Sequence, residues 1–222
     1  MQYVFIAVYL ILVALLIYVA YSKHFAYYTL AKTAASLGFI AVAFAAYFYG
    51  GKNNPQYFYA VLPCLILCLA GDVLLGLANN KGKLFSSYFI KGVIFFMLAH
   101  IGFCIVFSFL SPFKIYDLIL PVILLCFTFW CSKSERFRLK RMKLPVMAYS
   151  LFVGLMCARG LQGGIALGNL RGIYIILGSV LFLLSDGVIL LLYFHIKQRK
   201  LMRFANLFTY YIGLLFIALS CA

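Results

Sequence analysis

The 222-residue chain is 67% hydrophobic and only 10% charged, where an ordinary soluble chain carries about 25% charged residues. A formal net charge of +15 and a mean hydropathy of +1.09 argue against a soluble globular fold and for a bilayer as the solvent. Eight apolar stretches at about 20 residues per crossing use roughly 160 positions, which leaves short connectors and no room for a soluble domain. The expected fold is therefore all-α, a polytopic bundle of eight transmembrane helices, with residues 1–222 forming a single transmembrane helical domain.

In chain order, the apolar runs predict helices over 3–21, 28–49, 57–78, 89–110, 116–131, 144–160, 173–194 and 204–221. The first begins directly after Met1-Gln2-Tyr3, without a basic n-region or a small-residue cleavage site, and reads as a retained span and not as a signal peptide. The fifth is short, carries Asp117 near its start and has Pro121 inside. Membrane helices tolerate such a proline where neighbours satisfy the freed carbonyl.

With eight crossings, the connectors after helices 1, 3, 5 and 7 share one face. They hold Lys23; Lys81 and Lys83; Lys133, Arg136, Arg138, Lys140, Arg141 and Lys143; and Lys197, Arg199, Lys200 and Arg203, thirteen basic residues in all. The opposite face holds four, Lys52, Lys114, Arg159 and Arg171, while Lys32 and Lys91 lie inside or near helix starts. The positive-inside rule makes the richer face cytoplasmic and puts both termini on the non-cytoplasmic side. These basic loops set topology first; contact with anionic lipid headgroups is a second use, worth about 1 kcal/mol per residue near a charged leaflet. No connector is long enough to build an element that reads nucleic acid. The expected location is the bacterial plasma (inner) membrane.

The seven cysteines fall almost entirely inside apolar stretches, with no CxxC pair and no histidine at zinc-finger spacing, so neither disulfides nor structural zinc is expected. Cys64 and Cys68, at i and i+4, read as core packing.

Four acidic residues, Asp72, Asp117, Glu135 and Asp186, stand against the excess of positive charge. Asp117 and Glu135 lie near span ends, where water is expected to reach them. Asp72 lies about 9 Å from the cytoplasmic end of helix 3 and Asp186 about 12 Å from that of helix 7, at helical rise. Helices 3 and 7 run in the same direction, so the two carboxylates are expected at similar depth, as one site. An aspartate so deep costs about 2.5–3.5 kcal/mol on the insertion scale and marks a functional site by default.

Other polar groups sort by angle at 100° per residue. Thr29, Lys32 and Ser36 share a face of helix 2; Cys68, Asp72, Gly76 and Asn79 form a small-residue and polar stripe on helix 3; Ser179, Asp186 and Tyr193 repeat on helix 7 with Ser185 beside them. His100 lies mid-span on helix 4, whereas Lys91 points the opposite way and snorkels to the interface. His100 reads equally as a helix-to-helix hydrogen-bonding residue and as a proton relay. Lys32 reads either as a snorkelling lysine or as the counter-ion of a buried carboxylate. His24 and His195 lie at helix ends, so only one deep histidine remains, too few for a catalytic zinc shell.

Three runs carry a resemblance. Leu69-Ala70-Gly71-Asp72-Val73-Leu74-Leu75, then Gly92, Phe96, Ala99 and His100 in the following span, then Phe182, Ser185 and Asp186 in the seventh, resemble the YhhN family of membrane proteins, which includes lysoplasmalogenases. That family shows a Gly-Asp in helix 3, a G-x-x-x-F-x-x-A-H pattern in helix 4 and an F-x-x-S-D in helix 7. This chain departs from it at Lys32-Thr33, where the family's helix 2 usually begins Lys-Pro, and at Phe103, where a tyrosine is expected. The resemblance implies hydrolysis of the vinyl ether of a lysoplasmalogen to a fatty aldehyde and a glycerophospho-alcohol. Asp72, Asp186 and His100 are then the catalytic candidates; Lys32, Ser185, Asn79 and Tyr193 are the substrate-contacting ones; no metal and no cofactor is expected. The partners are a lysophospholipid substrate and the lipid bilayer itself.

The chemistry suits such residues. Protonating a vinyl-ether carbon needs an acid that keeps its proton at neutral pH, which a solvated aspartic acid near pKa 3.9 does not. Burial and a neighbouring carboxylate both favour the protonated form, so a carboxyl pair can hold one proton between its members. One member donates; the other, ionised, stabilises the cation and activates water, as in glycosidases. Lys32 neutralises the second acid or meets the lipid phosphate.

A proton-coupled transporter or channel is the rival reading, because deep Asp, Lys and His also build proton relays. The similar strings around Asp72 and Asp186 hint at a four-plus-four repeat, though a short one. An intramembrane aspartyl protease is disfavoured, since Leu69-Ala70-Gly71-Asp72 lacks the first glycine of G-x-G-D. A non-enzymatic membrane component is the third reading.

Overall fold

Eight helices long and apolar enough to cross a bilayer follow one another in this computed structural model, which describes residues 2–80, 86–139, 142–196 and 200–222. They are α1 (Gln2–Tyr21), α2 (Tyr28–Tyr49), α3 (Pro55–Asn80), α4 (Ser87–Ser108), α5 (Ile119–Lys133), α6 (Lys143–Leu167), α7 (Leu170–Phe194) and α8 (Lys200–Leu219). A 3-10 turn over Phe25–Tyr27 leads into α2, and another over Ile115–Leu118 lengthens the short α5 to a full crossing. Of the loop cations, Lys81, Lys83, Lys140, Arg141, Lys197 and Arg199 lie outside the described residues.

The chain divides into two compact units, Met1–Gly102 with Leu214–Ala222, and Phe103–Gly213. In the first, α2 packs against both α1 and α3. Its buried face is built of small residues, Ala31, Ala35, Ala43 and Ala46, with Phe39 and Val42 fully buried among them. Small side chains matter here because lipid offers no hydrophobic drive between helices, so close van der Waals packing must hold them. The stripe expected on α3 packs in this way. A Cβ on Gly76 would stand 3.1 Å from Thr29 of α2, and one on Gly71 would stand 2.8 Å from the Phe96 ring of α4.

In the second unit, α6 packs against α5 and α7. The predicted end of the sixth helix at 160 is corrected: α6 runs on to Leu167 through Gly160, Gly163 and Gly164. Those glycines suggest a loop from sequence, but they permit close approach. A Cβ on Gly163 would stand 3.0 Å from that of Leu110, and one on Gly164 would stand 2.6 Å from Gly172 O. The turn comes at Gly168, at φ 60°, followed by Asn169, whose side chain accepts a hydrogen bond from Gly172 N at 3.0 Å and caps α7. Beyond α7, Arg138 N donates to Phe194 O at 2.8 Å and Ile196 N donates to Arg136 O at 3.0 Å. This short bridge ties the α5–α6 connection to the end of α7 and supplies a donor for one of its last carbonyls.

Candidate functional site

In the first unit, the centre of the polar network is Asp72. It has no solvent exposure, and its Oδ1 lies 2.7 Å from Nζ of Lys32, itself only 6% exposed. Ser36, one turn beyond Lys32 on the same face of α2, places Oγ 2.5 Å from Asp72 Oδ2 and 2.9 Å from the Lys32 carbonyl. A hydroxyl has one proton, so it serves one of these acceptors at a time. The helical phase that aligned Thr29, Lys32 and Ser36 in the sequence thus places a cation and a hydroxyl on the two oxygens of one carboxylate. Of the two readings of Lys32, the geometry selects the counter-ion. Tyr9 of α1 is fully buried, lies within electrostatic reach of Asp72 and packs its ring on Gly38. Sequence reasoning passed over it; the signal was a phenol in mid-span, where a hydroxyl needs a partner.

His100 is fully buried on α4, one turn beyond Phe96, whose ring covers Gly71 next to Asp72. Asn79 is part-buried near the end of α3, and its neighbour Asn80 donates to Ala26 O at 3.1 Å. The structure extends α3 two residues past the predicted 78, so Asp72 lies about 12 Å of helical rise from its end.

In the second unit, Asp186 on α7 is 8% exposed and borders a cavity of about 80 Å³ between α5, α6 and α7. Thr128 of α5 and Ser150 of α6 join across this cavity at 3.0 Å. Ser185 turns elsewhere: Asn206 of α8 donates to its Oγ at 2.8 Å and to its carbonyl at 3.2 Å. That hydroxyl clasps α7 to α8. Tyr193 is part-buried toward the end of α7. Phe103, where the resemblance led one to expect a phenol, is fully buried in an aromatic cluster with Phe107 and Phe182, at ring separations of 5.9 and 6.3 Å.

One expectation is overturned. Asp117 is not solvated at a span end but 1% exposed, and Arg159, counted among the cations of the poorer face, is a fully buried side chain of α6. Their ion pair measures 2.5 Å. Arg159 also donates through Nε to Ser108 Oγ at 3.1 Å, through Nη1 to Pro112 O at 3.2 Å, and through Nη2 to Ser111 Oγ at 3.0 Å and to Ser111 O. Its five N–H donors thus meet five acceptors. Asp117 Oδ2 in turn accepts from Lys114 N at 2.9 Å, and this closes the α4–α5 connection over the arginine. A lone arginine 42 residues from its acid gives no periodic signal in sequence.

Among the described residues no three His, Cys, Asp or Glu side chains gather in a group. The seven cysteines are free thiols.

Residues 27–221 match the YhhN family. The chain belongs to that family. No curated protein and no solved structure matches it. Within this YhhN protein, Gly71 and Phe96 bring α3 and α4 together, Ser185 fastens α7, and Asp72 and Asp186 are buried side chains of their spans.

Proposed function

We propose that this protein is an intramembrane hydrolase that cleaves the vinyl ether of lysoplasmalogens, with Asp72 and Asp186 supplying the acid and base chemistry. YhhN membership supports the reaction class, since that family includes lysoplasmalogenases. The observation that carries the residue assignment is that both carboxylates are buried inside membrane-spanning helices, one beside Lys32 and Ser36 and the other at a cavity wall. One carboxylic acid delivers its proton to the β-carbon of the enol ether, and the double bond becomes an oxocarbenium ion. The other carboxylate takes a proton from water as the water oxygen bonds the cationic carbon. The hemiacetal then loses its hydroxyl proton and breaks its bond to the glycerol oxygen, which is protonated. One water is consumed, and an aldehyde and a glycerophospho-alcohol leave. Lys32 holds the charge of Asp72 or meets the lipid phosphate, and His100 relays a proton. The test is incubation of purified protein with a lysoplasmalogen and with its ester analogue: aldehyde from the first and none from the second is expected, and no aldehyde at all would overturn the reading.

The orientation proposed with it places both termini on the non-cytoplasmic side. With Arg159 inside α6, the poorer face keeps only Lys52, Lys114 and Arg171, and the contrast with the opposite face widens. A reporter inserted next to Arg136 is expected to read cytoplasmic, and one after Ala222 external.

A further inference from the structure

The connection from α5 to α6 carries two arginines, Arg136 and Arg138, that the proposed hydrolysis does not use. Its backbone is held on both sides of them. Phe137 pairs with His195 in an antiparallel bridge, Arg136 N donates to Ser134 Oγ at 3.3 Å, Arg136 O accepts from Ile196 N at 3.0 Å and Arg138 N donates to Phe194 O at 2.8 Å. Exposure alternates along this segment: Arg136 is exposed, Phe137 half-buried, Arg138 exposed and Leu139 buried. That is the period of an extended strand. Phe137 meets the His195 ring edge-on at 5.2 Å, so the inward side chains anchor the segment while both arginines stand on its outer face. At strand rise they are about 7 Å apart. Among the described residues neither guanidinium has a partner, and Glu135, also exposed, pairs with neither.

Two like charges held side by side repel each other, and an anion shared between them removes that repulsion. Guanidinium forks match the geometry of phosphate oxygens, and a phosphodiester has two unesterified oxygens, one for each fork. Position decides where the phosphate comes from. Phe129 and Trp130, in the last turn of α5, are exposed, and Lys133 at the helix end holds its Nζ 5.5 Å from the Phe129 ring. Exposed aromatic side chains and a lysine at the end of an apolar span mark the edge of the hydrocarbon, where lipid headgroups lie. Arg136 and Arg138 follow directly beyond that edge. A zwitterionic headgroup would bring its own ammonium against the two arginines, whereas a headgroup of net negative charge would not. Because the bridge fixes the backbone at both positions, little ordering of the chain remains to oppose binding.

We propose that Arg136 and Arg138 form a binding site for the phosphate of an anionic membrane lipid, built on the bridge between the α5–α6 connection and the end of α7. The site is independent of the hydrolase reading and of the orientation proposed with it.

Trp130 is the chain's single tryptophan and supplies the readout. The full-length protein is reconstituted in phosphatidylcholine bilayers that contain a minor share of phosphatidylglycerol, with bromine on the chains of one lipid or the other, and quenching of Trp130 reports which lipid stands beside it. Phosphatidylglycerol is expected to be enriched there at least fivefold over phosphatidylcholine. Arg136→Gln with Arg138→Gln should bring that ratio close to one. Arg136→Lys with Arg138→Lys, which keeps the charge but loses the forks, should lose at least half of the enrichment. Lys23→Gln with Lys52→Gln removes the same charge at exposed positions of other connectors and should leave the ratio unchanged. Inorganic phosphate in the buffer, compared with chloride at equal ionic strength, should not displace the lipid. An equal loss in the lysine-to-glutamine control would reduce the effect to diffuse charge and overturn the site, as would full enrichment in either arginine pair variant. Displacement by inorganic phosphate would make the pair a site for a soluble anion and overturn the lipid assignment.

Discussion

Three buried aspartates in this chain meet three different surroundings. Asp117 faces a guanidinium whose every donor is taken. Asp72 faces a lysine and a hydroxyl. Asp186 faces a cavity. A saturated ion pair has no donor left over for a substrate, so the Arg159 cluster reads as a fastening of the α4–α5 connection. Among the described residues, Asp72 and Asp186 have no such arginine cluster around them. Burial alone does not separate the three acids; what each one faces does.

The comparison can be broken most sharply at the two acids assigned to chemistry. Asp72→Asn and Asp186→Asn are each expected to lower vinyl-ether turnover by about 10²–10⁴, the usual worth of acid–base catalysis. The double variant is expected to be little worse than either single one, because groups acting as a unit are non-additive. Additive losses would mean that the two carboxylates act independently, and wild-type rates in either single variant would remove that residue from the mechanism.

At Asp117 the large effect is on stability. Asp117→Ala leaves Arg159 buried and unpaired, which costs about 3–5 kcal/mol and should appear as a markedly lower unfolding temperature in detergent. Arg159→Met together with Asp117→Leu should recover most of it, since a well-packed apolar pair often replaces a buried ion pair without loss. Residual turnover in that rescued double variant should approach wild type.

Lys32 sharpens the contrast. Lys32→Met should both destabilise the protein and lower turnover less completely than Asp72→Asn does. Lys32→Met with Asp72→Asn should regain stability but no activity, which separates the structural share of the pair from its chemical share. Recovery of activity in that double variant would show Asp72 to be structural. The smallest effect is expected at Tyr57, whose hydroxyl lies 2.8 Å from Ser220 Oγ. Tyr57→Phe should cost about 0.5–1.5 kcal/mol, the net worth of one hydrogen bond, and change no rate.

The sequence by itself determined the membrane class, the eight spans and the position of an acid inside each of helices 3 and 7, because hydropathy and helical period are local properties that survive without a partner. It also placed Lys32 and Ser36 on one face, since i and i+4 positions on a helix must align. It did not determine where α6 ends: a run of glycines breaks a helix in water, yet in a bilayer it brings two helices into contact, and only the neighbours Leu110 and Gly172 reveal which applies. Nor did it show that Asp117 is buried: the sequence puts that acid in reach of water at a span end, and only the arginine that α6 brings to it closes it off. Ion pairing at long sequence separation and the space left between packed side chains have no period along the chain, so the Asp117–Arg159 pair and the cavity beside Asp186 were decided by the tertiary structure alone.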